Sequence, residues 1–246
     1  MNKKIFSIIF NVISESDIIL FVLDSRFVQE TRNFEIEKSI LNQNKQLIYI
    51  LNKSDLLKKT KKPSLPSNYF FISCKTREGI NQLRNYIKII AKKLKKEKVI
   101  IGVLGYPNTG KSSVINLILG RKNSAKTSPE AGFTKGIQKL RFTENIYILD
   151  TPGIIPEKEL KKTKLSKIGV MTYNKIKDPE TAVQDLINQH PGILESFYNI
   201  ESEKNSEILI EKLGRKKNIL KKRGEVDSDR VARMILKDWQ SGKIKL

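Results

Sequence analysis

A glycine-rich segment at residues 105–112 reads G-Y-P-N-T-G-K-S and fits the phosphate-loop pattern G-x4-G-K-[S/T]. An apolar run precedes it and the helical sequence "SSVINLILG" overlaps its end, so backbone N–H groups and a helix N-terminus would face a bound phosphate. In this pattern the lysine reaches the terminal phosphates and the serine that follows ligates magnesium. The residues predicted to contact phosphate or metal are Asn108, Thr109, Gly110, Lys111, Ser112 and Ser113. The pattern therefore predicts a magnesium-dependent site for a nucleoside triphosphate.

Two later segments suit the terminal phosphate and its metal. "ILDTPG" places Asp150 at the end of a predicted strand, about forty residues after the phosphate loop. There its carboxylate can hold a magnesium-bound water, while the amide of Gly153 can meet the γ-phosphate. Within "TSPEAGFTKG", Thr134 is the favoured threonine for magnesium, with Thr127 and Ser128 as alternatives.

Two polar turns indicate that the base is guanine. "NKSD" follows an apolar strand-like run, and "SCK" ends the next one. A carboxylate at the end of "NKSD" can accept from the N1 and N2 hydrogens of guanine, an arrangement that adenine does not offer. The lysine would lie along the base plane, the asparagine would tether neighbouring loops, and "SCK" would contact the guanine carbonyl. The predicted base-site residues are Asn52, Lys53, Asp55, Ser73, Cys74 and Lys75.

The order of these motifs is unusual, because the base loop precedes the phosphate loop by about fifty residues. In an ordinary GTPase chain the phosphate loop comes first. Since the natural ends of a domain often lie close together, they can be joined and new ends opened elsewhere while the sheet stays intact. We interpret the helical segment at 79–96 as the join, and the chain as a circularly permuted GTPase.

The spacing of apolar residues predicts an α/β domain over residues 1–156. Short apolar runs alternate with helical segments, which is typical of a mostly parallel sheet with helices on both faces. Predicted strands lie at 17–24, 45–55, 68–76, 98–107, 137–142 and 145–150. The apolar N-terminus resembles a signal peptide, but it lacks a small-residue cleavage site and its isoleucines fall at helical spacing. We therefore expect an amphipathic helix there.

Residues 157–246 are predicted to form a small all-helical domain, and the family resemblance described below implies that it binds RNA. Asp178 followed by Pro179 is a helix start, and Pro191 marks its end. A further helix is expected over 227–240. Its predicted apolar face consists of Val231, Met234, Ile235 and Trp239.

Charge and cysteine content restrict the partner and the compartment. The chain has 47 Lys and Arg against 26 Asp and Glu, a formal net charge of +21, whereas solubility needs only about 2–8. A polyanion such as RNA is one explanation; a lysine-rich genome is the other. The single cysteine excludes an intramolecular disulfide. No apolar run approaches the roughly 20 residues of a membrane span, so we expect a cytoplasmic protein with no membrane partner.

The motif order, together with "VLDSRFVQETRN" (22–33), "TSPEAGFTKG" (127–136) and the C-terminal segment 222–244, resembles the YlqF/RbgA ribosome-assembly family, and most nearly its archaeal members. The resemblance covers essentially the whole chain. It implies GTP and GDP as ligands, GTP hydrolysis, and partners in the large ribosomal subunit or its precursor through rRNA. It also implies that Asn108 coordinates potassium, whose charge assists hydrolysis; the alternative is that Asn108 only shapes the loop.

The chain departs from the family pattern at two points that concern catalysis. Bacterial members begin with a segment that contains a catalytic histidine, whereas the only histidine here is His190, for which we expect a structural or surface role. Ile154 follows "DTPG", where an ordinary GTPase has its water-orienting glutamine. We therefore expect slow hydrolysis that ribosomal particles stimulate. The predicted catalytic residues are Asn108, Lys111, Thr134 and Gly153.

Two other functions agree with the same sequence. One is an RNA-binding assembly chaperone in which GTP is a structural ligand, and the other is a tRNA-associated GTPase. The set of magnesium ligands favours turnover over a structural ligand. We expect a protein that is monomeric off the ribosome.

Overall fold

The structure, a computed structural model, describes residues 3–57, 63–120, 138–150, 172–202 and 204–245. The chain divides into two compact units, residues 1–160 and 161–246. The expected domain boundary at 156/157 lies outside the described residues.

Six strands of the first unit form one sheet. The central strands are runs of Ile, Leu, Val and Phe, since a parallel strand with helices on both faces is buried on both sides. All seven residues of the first strand are buried. In chain order the strands are β1 (Ile18–Asp24), β2 (Gln46–Asn52), β3 (Tyr69–Phe71), β4 (Val99–Leu104), β5 (Gln138–Arg141) and β6 (Ile146–Asp150).

The strand order in the sheet is β3-β2-β1-β4-β6-β5. Every neighbouring pair is parallel except the antiparallel pair β5–β6, which confirms the predicted fold class. The carboxyl ends of β1, β2, β3, β4 and β6 therefore lie at one edge. Strand β3 is shorter than predicted because the chain folds back on itself after Ile72: the Ser73 N–H donates to the Glu78 carbonyl at 3.2 Å, and the Arg77 N–H donates to the Ser73 carbonyl at 2.8 Å.

Helices cover both faces of this sheet. They are α1 (Lys3–Glu15), α2 (Phe34–Asn42), α3 (Ile80–Lys93) and α4 (Lys111–Leu119). Apolar residues of α3 and α4 pack in one cluster with alternate residues of β1, β2 and β4, such as Leu20 and Val103. Helix α1 lies on the other face, where Val12 approaches Gly102 of β4 so closely that a Cβ at Gly102 would lie 2.9 Å from it. The apolar N-terminal segment is thus a packed helix, as predicted.

In the described part of the second unit, four α-helices form a core with their apolar sides. They are α5 (Pro179–Gln189), α6 (Ile193–Tyr198), α7 (Ser206–Lys216) and α8 (Ser228–Gln240). Helix α5 begins as predicted: Asp178 is its N-cap and accepts from the Thr181 N–H at 3.1 Å. Helix α8 buries a wider stripe than predicted, including Leu236, while Met234 is only half-buried. The reason is that α5 and α7 both contact α8.

A short hairpin between α7 and α8 was not predicted. Leu220 and Val226 form an antiparallel bridge, and we call residues 221–224 at its end the basic turn. The turn closes where the Gly224 N–H donates to the Lys221 carbonyl at 3.0 Å. The hairpin lies against α7 so closely that a Cβ on Gly214 would be 2.2 Å from a Val226 methyl group.

His190 directly follows α5 and packs on the core of the second unit. Its ring centroid is 5.2 Å from that of Trp239, in keeping with the structural role expected for it. Within the described ranges, every helix is too short or too polar to cross a bilayer.

Candidate nucleotide-binding site

The phosphate loop connects β4 to α4 through three residues with positive φ. Gly105, Asn108 and Gly110 have φ values of 149°, 62° and 94°. A Cβ on Gly105 would lie 2.4 Å from the carbonyl oxygen of Val22, and one on Gly110 would lie 2.3 Å from Nδ2 of Asn52. Both positions therefore require glycine for close approach as well as for conformation.

The side chain of Lys111 lies inside this loop. Lys111 is the first residue of α4 and is only 7% exposed, and its Nζ donates to the Tyr106 carbonyl at 2.8 Å. The hydroxyl of Thr109 donates to the same oxygen at 2.9 Å. The ammonium thus lies next to a helix N-terminus, and both carry positive charge that suits an anion. Ser112 and Ser113, in the first turn of α4, are half-buried.

Tyr106 also anchors the loop to α2. Its side chain is buried, and its hydroxyl accepts from Nδ2 of Asn33 at 3.2 Å. Oδ1 of Asn33 accepts from the Ile36 N–H at 3.1 Å and caps α2. One asparagine therefore joins the phosphate loop to the start of a helix.

Asn52, the last residue of β2, links three loops. Its side chain is buried, and Nδ2 donates to the Thr109 carbonyl of the phosphate loop at 2.8 Å. Its Oδ1 accepts from the Cys74 N–H at 3.3 Å. The base loop, the S-C-K loop and the phosphate loop therefore meet at this residue.

Asp55 is held in place by Ser73. The Ser73 hydroxyl donates to Oδ1 of Asp55 at 2.6 Å, while its oxygen accepts from the N–H groups of Lys75 and Thr76 at 3.2 and 3.0 Å. This places a carboxylate of fixed orientation beside the S-C-K loop. Burial raises the pKa of the neighbouring Cys74 thiol to about 12, although its contact with Asn52 acts in the opposite direction.

Lys53 follows Asn52 in a left-handed conformation, with φ of 64°. Its Nζ lies 2.8 Å from Oδ2 of Asp24, at the end of β1. Arg26 binds both oxygens of the same carboxylate, through Nε at 3.0 Å and Nη2 at 2.8 Å. Burial by itself raises the pKa of Asp24, but the charges of Lys53 and Arg26 outweigh it and hold that pKa well below its usual range.

The chain is similar in sequence to known GTP-binding proteins. A family described as "50S ribosome-binding GTPase" matches residues 100–213. A GTP-binding protein of Methanocaldococcus jannaschii is 38% identical over 96% of this chain and 65% of its own length. Nucleolar GTP-binding protein 2 of Yarrowia lipolytica is 33% identical over 99% of this chain and 50% of its own length. The chain thus spans between half and two thirds of these relatives.

The fold matches that of YlqF from T. maritima. The GNP-bound crystal structure aligns with a TM-score of 0.68 and 22% identity, over 99% of this chain and 96% of that chain. The GDP-bound structure aligns with a TM-score of 0.65 and 23% identity. The chain therefore has the fold of YlqF, a circularly permuted GTPase domain with a helical C-terminal part.

Permutation accounts for the order of the loops in this GTPase fold. The base loop follows β2 and the S-C-K loop follows β3, and both strands precede β4 in the chain. In the sheet, β1 separates β2 from β4, so the base loop and the phosphate loop leave the same edge two strands apart. Helix α3 runs from the S-C-K side of the domain to β4, as the predicted join requires.

Several predicted site residues lie outside what the structure describes. These are Thr127, Ser128, Thr134, Gly153 and Ile154. For Asp150 the backbone is described and ends β6, beside β4 at the carboxyl edge of the sheet. The predicted ligand set for magnesium therefore stays a prediction.

The contacts of Asp24, Arg26 and Asn33 are not apparent from the nucleotide motifs. These residues belong to the segment "VLDSRFVQETRN", which indicated only a family resemblance. One signal in the sequence pointed to Asp24: a charged residue ends a buried apolar strand, and the carboxyl edge of a parallel sheet is where binding residues collect.

Proposed function

We propose that this chain is a GTP-binding and GTP-hydrolysing switch protein that acts in ribosome biogenesis, in assembly of the large subunit, by binding rRNA. The observation that carries the proposal is the junction at Asn52, which ties the base loop to the phosphate and S-C-K loops through bonds of 2.8 and 3.3 Å. The junction sets the distance between a base site and a phosphate site. The relatives' descriptions as a 50S ribosome-binding GTPase and as a nucleolar GTP-binding protein support the ribosomal context.

Guanine is the base that this arrangement fits. The carboxylate of Asp55, oriented by Ser73, would accept from the N1 and N2 hydrogens of guanine. The backbone of the S-C-K loop, with Cys74 and Lys75, would donate to the guanine carbonyl. Adenine presents an acceptor at N1 and an amino group at C6, so the same groups would reject it.

The phosphates would lie between the loop backbone and Lys111, at the N-terminus of α4. The oxygen ligands proposed for magnesium are Ser112, Thr134 and Asp150, and oxygen ligands are the kind that this hard cation prefers. Bound magnesium would neutralise charge on the β- and γ-phosphates. The amide of Gly153 would donate a hydrogen bond to the γ-phosphate. This contact would be lost after hydrolysis.

Asn108 is the residue through which we propose potassium dependence. It has φ of 62° and lies in the phosphate loop, where its side-chain oxygen can coordinate a monovalent cation near the β- and γ-phosphates. Replacing sodium by potassium should raise basal GTP hydrolysis severalfold, and Asn108→Ala should abolish that difference. Equal rates in the two salts would leave Asn108 with a role in loop shape only.

The basic turn is the surface that we propose for rRNA. Lys222 and Arg223 occupy its centre and are exposed, as are Lys217 and Lys221 beside it. A hairpin end of this kind can present two cations to a phosphodiester backbone without a large rearrangement. Each neutralised phosphate adds about one unit to the salt dependence of binding, which makes such an interaction strongly dependent on ionic strength.

Lys216 belongs to the same run of basic residues, but its side chain is hydrogen-bonded within the unit. Its Nζ donates to the carbonyl oxygens of Tyr198 and Asn199, at 2.9 and 3.4 Å, where α6 ends. Cations are favourable at a helix C-terminus. A test of RNA binding should therefore leave Lys216 unchanged.

The decisive experiment is co-sedimentation with large ribosomal subunits or their precursors, in a non-hydrolysable GTP analogue and in GDP. We expect association with the analogue and little with GDP. The double variant Lys222→Glu/Arg223→Glu should lose the association and keep its nucleotide affinity. A matched control in the same unit is Lys175→Glu/Lys177→Glu, which makes the same charge change at two other exposed positions.

Phosphate release in a single turnover separates the switch from a chaperone that holds GTP as a structural ligand. With Ile154 after "DTPG", the free protein should hydrolyse GTP slowly, and ribosomal particles should accelerate it. Equal association in the GTP analogue and in GDP, with no acceleration of GTP hydrolysis by ribosomal particles, would overturn the switch function. That result would support the chaperone. Association with tRNA in place of ribosomal particles would support the third function.

A further inference from the structure

Asp24 is a fully buried carboxylate bound by two cations. Its side chain is 0% exposed and that of Arg26 is 1% exposed, while the Lys53 side chain is 22% exposed. The Arg26 backbone N–H adds a fourth donor, at 3.1 Å from Oδ1 of Asp24. Such a group is expensive to bury. Removing a buried ion pair in favour of apolar residues is often neutral or stabilising, so stability is a weak explanation for this cluster.

The sheet register explains how Lys53 reaches Asp24. Asp24 lies directly opposite Asn52 in the parallel pair β1–β2, and the Ser25 N–H donates to the Asn52 carbonyl at 2.8 Å. Lys53 is the next residue, and its left-handed backbone turns the chain sharply at the strand end. Its ammonium then reaches the carboxylate of Asp24, at the end of the neighbouring strand β1.

The arrangement of donors leaves Asp24 little freedom. Arg26 binds the carboxylate through two nitrogens, a bidentate geometry that the planar guanidinium favours. With both oxygens so engaged, Oδ2 is directed at the Lys53 ammonium. Lys53 is in turn flanked by Asn52, which bonds to the phosphate loop, and by the loop that carries Asp55.

We propose that Asp24 and Arg26 are positioning residues for the guanine base: Arg26 orients Asp24, and Asp24 holds the Lys53 ammonium so that the aliphatic part of that side chain lies flat along the base plane. This inference rests on the proposed function, in which the loop containing Asn52, Lys53 and Asp55 binds guanine. Because the device acts at the base, it should affect GDP and GTP equally. It should leave the rate of phosphate release from bound GTP unchanged.

A double-mutant cycle on the affinity for a fluorescent GDP tests this inference. Asp24→Asn should weaken binding about tenfold, a coupling of the size found between contacting residues. Arg26→Lys keeps the charge but loses the two-point contact, and should weaken binding severalfold. In a Lys53→Met background, each substitution should change the affinity by less than about twofold. A cost that is equal in both backgrounds would overturn the inference, because a merely structural effect does not depend on Lys53.

The controls separate this inference from the proposed function. Asp17→Asn alters another ion-paired carboxylate, at the opposite end of β1, where Asp17 bonds Lys96 and the Ile100 N–H; it should leave GDP affinity unchanged. If Lys53→Met has no effect while Asp55→Asn still lowers the affinity for GDP, the inference fails and the guanine site stands; if neither substitution has an effect, the guanine site is wrongly assigned and the proposed function fails with it. If Asp24→Asn does not fold, as thermal unfolding will reveal, Arg26→Lys decides the outcome alone.

Discussion

The cations near the candidate nucleotide site and those of the basic run at 215–223 lie in different environments. In the nucleotide unit, several cations lie against buried or half-buried partners: Arg26 and Lys53 on Asp24, Arg32 on Glu37, and Lys111 on the phosphate loop. In the C-terminal unit, most of the basic run at 215–223 is exposed.

The difference teaches that net charge alone says little about a partner. A cation that is enclosed and paired shapes a site for one ligand, since its geometry is set by the groups around it. An exposed cation at a turn contributes to a positive surface potential that attracts any polyanion. Of the +21 formal charge, the exposed part is what the proposed RNA binding depends on, whereas Arg26, Lys53 and Lys111 belong to the proposed nucleotide site.

The largest expected effect concerns Cys74, in the proposed base site. Burial raises its pKa from 9.0 to about 12, so the reactive thiolate at pH 8 should be roughly 10³-fold scarcer than in the unfolded chain. Alkylation of the native protein should be slower by at least ~10²-fold, and its rate should rise tenfold per pH unit past pH 10. The single cysteine makes the measurement unambiguous. A native rate that levels off near pH 9 would show that the site is open.

The next effect concerns the enclosed carboxylate of Asp55. In the proposed site Asp55 accepts from two guanine hydrogens, so on that proposal Asp55→Asn should lower GTP affinity ~10²-fold or more, about 3 kcal/mol. The variant should instead favour xanthine nucleotides, whose added carbonyl can accept from the new amide. Glu78→Gln makes the same chemical change at an exposed position and should leave GTP affinity unchanged. A variant that still prefers GTP over XTP would show that the base loop is misassigned.

The smallest expected effect is a difference in stability between variants of two adjacent lysines in the C-terminal unit. Lys216 caps the end of α6, so Lys216→Ala should lower the free energy of unfolding by about 1 kcal/mol. Lys217→Ala, at an exposed neighbour, should change it by less than about 0.5 kcal/mol. Urea denaturation measures both. Equal effects would mean that the 2.9 Å contact between Lys216 and the Tyr198 carbonyl contributes nothing to stability, and that the whole basic run is available to RNA.

Much of the fold was predictable because its signals are local. Each strand from β1 to β6 lies within a predicted range, since an apolar run with polar ends indicates a buried strand whatever its neighbours are. The N-cap at Asp178 and the loop glycines were predictable for the same reason. The end of β3 was not, because it depends on whether the chain after Ile72 pairs with β2 or with itself. The hairpin at Leu220 and Val226 was not predictable either, because Val226 packs against Gly214 of α7 and no local pattern shows that contact.

The same distinction between local and distant signals applies to the candidate site. Residue types and spacing alone predicted the phosphate loop, the base loop and their permuted order, because each motif is a short segment whose chemistry is complete in itself. Only the tertiary structure decided that Asn52 joins three loops, that Asp24 and Arg26 hold Lys53, and that Lys216 caps a helix while Lys222 and Arg223 remain exposed. These contacts join residues that the sequence separates, such as Asn52 and Thr109, and nothing in the local pattern determines which distant group a side chain will meet. Strand register and close packing determine it, and both exist only once the chain has folded.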